Sequence, residues 1–265
     1  MSSNFQGKTV AITGAAGGLG KAITKAFLDA GANVAICDVN QERLNATETE
    51  WKDVYASRVL AVLIDITNEE AVNSFVKKIT ETYGRVDILI NNAGVMDSFD
   101  PVATTTKSTW DRVIGINLTG AFLATKAAVS AMLAQEEDRG GVILTIGSNA
   151  SVRGTQAGAA YTASKHALVG LSRNTAGFHG PQGVYSVVLL LGAMGGTNVQ
   201  DSFRVTGLNR EGMARMREMN PGMVEGQTNV LLEDVARFCL FYGERRVAEI
   251  ANGSCVEVNK NWPVA

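Results

Sequence analysis

The chain has 265 residues, 24 Lys plus Arg against 26 Asp plus Glu, and a formal charge of −2 at pH 7. Without a basic block or stripe, that balance argues against nucleic acid as a main partner. The length suits one α/β domain over residues 1–265, and the polar start and lack of 18 consecutive apolar residues predict a cytoplasmic protein with no membrane partner. Cys37, Cys239 and Cys255 stand far apart in apolar runs and read as small buried hydrophobes; with two histidines, His166 and His179, no metal centre is expected.

Residues 8–13 (KTVAIT) form a β-branched apolar run, a buried strand. It leads into Thr13-Gly14-Ala15-Ala16-Gly17-Gly18-Leu19-Gly20 and then a helical pattern over 21–30. Strand, glycine-rich turn and helix together suit a pyrophosphate, which the bare backbone and the helix N-terminus can approach. Residues 33–37 are a second strand with Asp38 at its carboxyl end, where an acid accepts from adenosine ribose hydroxyls and repels a 2′-phosphate. With no Arg or Lys at 39–42, NAD is favoured over NADP.

A helix over 41–51 and a strand over 59–64 bring the chain to Asp65 and Ile66; Asp65 suits either an adenine contact or a cap for the next helix, 69–83. Strand 87–90 closes on Asn91-Asn92-Ala93-Gly94. Residues 107–135 read as one long helix in which Asn117, a poor helix residue on an apolar face, marks a kink or part of a site. Strand 142–146 ends at Gly147-Ser148, and helix 158–178 carries Tyr161 and Lys165, four residues apart on one face. A cation near a phenol favours the phenolate, so this pair can shuttle a proton. Strand 184–191 follows, then a mixed stretch over 195–227 with Met213, Met216, Met219 and Met223, read as a lid of loop and short helices with a methionine packing stripe. Helix 232–242 and strand 254–258 end the pattern. Alternation of this kind predicts a Rossmann-type doubly wound parallel sheet with helices on both faces.

With Thr13-Gly14-x-x-x-Gly18-x-Gly20, Asn91-Asn92-Ala93-Gly94, Asn117, Ser148 and Tyr161-x-x-x-Lys165 in this order, the chain resembles the short-chain dehydrogenase/reductase family over about residues 5–260. The resemblance implies about seven strands, Tyr161 as general acid/base, Ser148 on the substrate oxygen, and Lys165 on the nicotinamide ribose, lowering the Tyr161 pKa. It implies that Asn117 holds a water in a proton relay. It further implies that Gly14, Gly18, Leu19 and Gly20 line the pyrophosphate, Asp38 meets the ribose, Asp65 and Ile66 flank adenine, and Asn92, Ala93 and Gly94 lie beside the nicotinamide ribose. Leu191-Gly192 replaces the family's Pro-Gly, and Thr197, the cofactor-contacting threonine by this likeness, comes one residue late; Val258-Asn259-Lys260 replaces Asp-Gly-Gly. The function expected is NAD-dependent oxidation of a secondary alcohol, with NADH-dependent ketone reduction and a non-redox cyclase, lyase or scaffold as alternatives. Met96, Phe99, Ser148, Ala150, Met194 and the 197–227 segment would shape a pocket for a lipophilic terpenoid, steroid-like or polyketide compound of secondary metabolism. The family's habit implies a homo-oligomer, dimer or tetramer, through helices 107–135 and 158–178.

Overall fold

The structure, a computed structural model, describes residues 4–224 and 226–263. Strand β1 (Thr9–Thr13) is buried along its whole length, Val10 and Ile12 entering one apolar cluster and Ala11 another. The next strand, β2 (Asn33–Asp38), repeats the division, with Val34 and Ile36 on one face and Ala35 and Cys37 on the other. Strands apolar on both faces need cover on both, which is the condition for a parallel sheet between helix layers. With β3 (Val59–Leu63), β4 (Ile88–Asn91), β5 (Gly141–Ile146), β6 (Val184–Leu191) and β7 (Cys255–Val258) they form one seven-stranded sheet. Its order is β3-β2-β1-β4-β5-β6-β7, and every pairing is parallel.

The helices are α1 (Gly18–Asp29), α2 (Gln41–Tyr55), α3 (Glu69–Tyr83), α4 (Lys107–Ile114), α5 (Ala121–Ala134), α6 (Ala159–His179), α7 (Ser202–Thr206), α8 (Arg210–Met219), α9 (Leu232–Gly243) and α10 (Arg245–Ile250). Leu19, Ile23 and Phe27, four residues apart along α1, share one face and enter the first cluster with Leu44 of α2 and Val235 of α9. Phe75 and Ile79 of α3 and Ala124, Ala128 and Met132 of α5 cover the opposite face. Helix α3 starts at Asn68, whose side chain accepts from the Ala71 N–H, and stops at Gly84 in the left-handed conformation.

Three sequence expectations change here. The single helix expected over 107–135 is α4 and α5 joined by a π-helical turn, Gly115–Gly120, centred on the buried Asn117. By length and composition the run Lys107–Ala134 could cross a membrane, yet 56% of its most apolar stretch is buried inside the fold. The methionines of 213–223 form no packing stripe: α8 has no buried residue, and Met219 and Met223 are exposed. The third change is Cys255, which is only half-buried because β7 is an edge strand, whereas Cys37 and Cys239 are fully buried.

From β1 the chain runs outward to β2 and β3, and from β4 it runs the other way to β7. Between the carboxyl ends of β1 and β4 the connections diverge, leaving the crevice in which open α/β sheets hold ligands. Gly14 and Asn92 sit on its rim.

Candidate active site

The floor of the crevice is built from backbone that side chains have locked. Asn117 is 1% exposed, and its amide pairs with both polar groups of Val95: Oδ1 accepts from the Val95 N–H at 2.8 Å and Nδ2 donates to the Val95 carbonyl at 3.0 Å. Its second N–H goes to Ser164 Oγ at 3.1 Å, and that hydroxyl donates to the Tyr161 carbonyl at 2.7 Å. Both donors of Asn117 are therefore spent, and one lone pair on Oδ1 is what remains for the relay water expected from the sequence. The π turn lets this short side chain reach across to the Val95 strand extension, so the kink and the site are one feature.

Ser148 follows β5 and caps a short turn, Asn149–Ser151; its Oγ accepts from the Ala150 N–H at 3.1 Å while Ser151 Oγ accepts from the Ser148 N–H at 3.0 Å. Burial pushes the Tyr161 phenol up to about 12, the nearby Ser148 hydroxyl draws it partly back, and Asp97 adds to the upward push. The sequence expectation was a Tyr161 lowered by Lys165. Lys165 Nζ instead donates to the Ile146 carbonyl at 2.8 Å and stands 5.5 Å from the centre of the Tyr161 ring, while burial brings its own pKa down to about 8. Burial thus disfavours the charged form of both groups, the ammonium and the phenolate.

The glycine turn is fitted closely to its neighbours. Gly14 has φ +63°, and a Cβ there would lie 2.7 Å from Ala93 Cα; a Cβ on Gly20 would lie 2.5 Å from the Gly14 carbonyl oxygen and 2.6 Å from Asn92 Nδ2. Asn92 Nδ2 donates to the carbonyls of Thr13 and Gly14, and Thr13 Oγ1 accepts from the N–H groups of Asn92 and Ala93, so the ends of β1 and β4 are stitched together. Helix α1 begins at Gly17 without a side-chain cap and without an acid in its first turn. Side-chain-free backbone leading to an uncapped helix N-terminus is the donor set that a dinucleotide pyrophosphate needs. Asp38 lies half-buried at the end of β2, its Oδ2 accepting from the Ala16 N–H at 3.1 Å and its Oδ1 from the Asn40 N–H at 3.0 Å. These residues fit a nicotinamide dinucleotide.

Other sequence-predicted residues fall into place less directly. Leu19 is buried in the core and can offer the crevice only its backbone. Ile66 is buried and packs on Gly120 of the π turn, whereas Asp65 is exposed and holds Thr67 by its N–H at 2.9 Å and hydroxyl at 2.8 Å. Asn68, not Asp65, caps α3. Gly94 is exposed, and a Cβ there would lie 3.5 Å from Asn117 Oδ1 and 3.7 Å from Lys165 Nζ. Ala150 is fully buried inside the turn beneath Ser148, so it presents no surface to a substrate, and Met96 is nearly buried; Met194 stays half-exposed. Thr197 and Asn198 lie against Gly17 and Gly18, bringing the start of the segment expected to be a lid onto the glycine turn. A cleft of about 1120 Å³ opens beside the first turn of α6 between Phe99, Val102, Thr155, His166 and Met216, and none of Ser148, Tyr161 and Lys165 lines it.

Sequence reasoning missed two charged residues. Asp97 is a buried carboxylate bonded to the first turn of α6, and Arg43 of α2 pairs with Asp201 of the lid. A trace of the first was legible: Gly158 precedes α6 where Ser, Thr, Asp or Asn would be usual, so the cap had to come from elsewhere.

Residues 8–206 match the family model of the short chain dehydrogenases, and the chain belongs to that family of nicotinamide-dependent oxidoreductases. It is 42% identical to short chain dehydrogenase/reductase dpchG of Colletotrichum higginsianum, across 98% of this chain and 96% of that protein. Identity to 3beta-hydroxysteroid dehydrogenase 2 of Eggerthella lenta is 31%, over 97% and 95% of the two chains. The crystal structure of levodione reductase superposes with a TM-score of 0.83 at 26% identity, covering 99% of this chain and all of that one (100%).

Proposed function

We propose that the protein oxidises a secondary alcohol to a ketone with NAD⁺. The observation that carries the reading is Tyr161 with the Ser148 hydroxyl acting on its phenol and Lys165 one turn further along α6, at the sheet's switch point. In this reading Ser148 donates to the substrate oxygen and Tyr161, as phenolate, removes the hydroxyl proton. When bound, the nicotinamide supplies the hydride acceptor and a positive charge that favours the phenolate. Lys165 adds its ammonium, and Asn117 braces Val95 and Ser164 so that Tyr161 keeps its place, with the second lone pair of Oδ1 left to hold a relay water.

The choice of NAD⁺ rests on Asp38, whose carboxylate has acceptor capacity left after Ala16 and Asn40 and would repel a 2′-phosphate. Arg43, in the first turn of α2, is drawn to Asp201 and does not neutralise Asp38. A phenol at about 12 favours the reverse reading in the same site, an un-ionised Tyr161 donating its proton to a ketone during NADH-dependent reduction. The similarity to a hydroxysteroid dehydrogenase supports a medium-sized lipophilic alcohol or ketone as the small-molecule substrate. Exposed Trp110, Phe122 and Phe178 support α4, α5 and α6 as the interface of a homodimer or homotetramer.

The test compares NAD⁺ with NADP⁺ affinity for wild type and Asp38→Ala, then initial rates in both directions on secondary alcohols and their ketones. Strong NAD⁺ preference that collapses at least tenfold in the variant is expected. Equal binding of both cofactors to wild type would remove the argument from Asp38.

A further inference from the structure

Asp97 lies just after β4, outside every motif of the site, and is 1% exposed. Its Oδ1 accepts from the N–H groups of Phe99 (3.0 Å) and Gly158 (3.1 Å), and its Oδ2 accepts from the Tyr161 N–H at 2.9 Å. One carboxylate thus satisfies both the N-cap and third N–H groups of α6, a task that a capping box divides between two local side chains. Gly158 leaves room for it: a Cβ there would lie 2.6–2.7 Å from the carboxylate atoms. The same short segment reaches the lid. The Met96 N–H is bonded to Ser202 Oγ at 3.0 Å, the Asn209 N–H to the Ser98 carbonyl at 2.9 Å, and Asn209 Nδ2 to Asp100 Oδ1 at 2.7 Å.

We infer that Asp97 is a positioning residue of the reaction: it anchors the turn of α6 that carries Tyr161 and ties that turn, through residues 96–100, to the lid helices α7 and α8. A helix start could be capped by a local serine or threonine at no electrostatic cost to a neighbouring phenol. A buried carboxylate from another part of the chain fixes where the turn sits relative to β4 and places a negative charge behind the acid/base. The charged groups facing Tyr161 are Lys165 on α6 and Asp97, itself backed by Asp100; the packed 148–151 turn and the π turn contribute Ser148 and Asn117, which do not titrate. This inference rests on Tyr161 being the acid/base.

The test is the pH–rate profile of the full-length enzyme carrying Asp97→Asn, with Gly158→Ala and Tyr161→Phe beside it. The amide of Asp97→Asn keeps the shape but removes the charge and turns an N–H toward the Tyr161 N–H. We expect kcat to fall about tenfold to a hundredfold and the limb on which oxidation rises with pH to move about one unit toward acid, since loss of a nearby anion favours the phenolate. Dinucleotide Kd, read by fluorescence, should change less than about threefold, because Asp97 bonds no part of the glycine turn. Gly158→Ala keeps the charge and displaces it, so kcat should fall at near-constant cofactor Kd. Should Asp97→Asn fail to fold, Gly158→Ala decides the question. A wild-type profile and kcat in the variants that fold, with Tyr161→Phe inactive, overturns the inference and leaves the acid/base reading standing. An active Tyr161→Phe overturns that reading first.

Discussion

The floor of the crevice and the lid above it are held by opposite means. On the floor, Asn117, Ser164 and Lys165 are buried, and their bonds run to backbone or to one another in fixed geometry. In the lid, α8 buries none of its residues, and polar links at its edges do the holding: Arg43 to Asp201, the Met96 N–H to Ser202, Asn209 to Ser98 and Asp100, and Gln156 to Asn220. Buried bonds without solvent competition lock one arrangement, whereas part-exposed ones, here all the lid links but the buried Met96–Ser202 bond, exchange readily with water. The proposed reaction would need both, since proton transfer by Tyr161 demands a fixed phenol and turnover demands that cofactor and product leave.

The comparison breaks most severely at Asn117. Asn117→Ala strands the Val95 N–H and carbonyl and removes a partner of Ser164, all in a buried setting, which should cost about 2–4 kcal/mol. For a chain of this size that is a fall in Tm of roughly 5–12 °C. Calorimetry showing a drop below about 2 °C would mean that the floor relaxes and is not locked. Turnover should fall with it, because the Tyr161 carbonyl loses a braced partner.

Lys165→Met sharpens the contrast, since it should abolish turnover and stabilise the protein. Burial lowers Lys165 from 10.5 to about 8, so below pH 8 the folded chain carries a charge that is costlier to hold there than in the unfolded chain. Methionine removes that penalty but leaves the Ile146 carbonyl unpartnered, giving a net gain of about 1–2 kcal/mol at pH 7 in the absence of dinucleotide. The sign follows from proton counts. Between about pH 8 and 10.5 the unfolded wild type keeps more protons than the folded one, so wild-type stability rises through that window. The advantage of the variant should shrink over the same interval. A flat difference in Tm from pH 7 to 10 would show that Lys165 is not strained by burial.

What could be read from the sequence was whatever depends on local pattern. Alternating apolar strands and helices, the glycines at 14 and 20, and the residues at strand ends converge in the folded sheet as their order implied. What could not be read depends on where distant segments meet. The π turn at Asn117 exists because its amide finds Val95, 22 residues earlier. The upward shift of Tyr161 needs its burial and Asp97, 64 residues away, neither of which a four-residue spacing reveals. The methionines of α8 carry helical spacing but meet no core, so periodicity alone promised a packing that the lid does not make.

At the weak end of the contrast stands Arg43. Its guanidinium holds Asp201 below the usual carboxylate range, and Asp201 ends the Asn198–Asp201 turn whose first residue lies on Gly17. Both partners are exposed enough for water and salt to compete, so the pair adds little to overall stability, and Arg43→Ala should shift Tm by less than about 2 °C. Its effect should be on the lid. Dinucleotide dissociation, followed by stopped-flow fluorescence, should become several-fold faster at low salt, and raising the ionic strength should bring wild type toward the variant because screening weakens the same contact. Equal rates at low salt would mean that Asn198 and Thr197 rest on the glycine turn without help from the ion pair. The lid would then be held by Ser202, Asn209 and Asn220 without the ion pair.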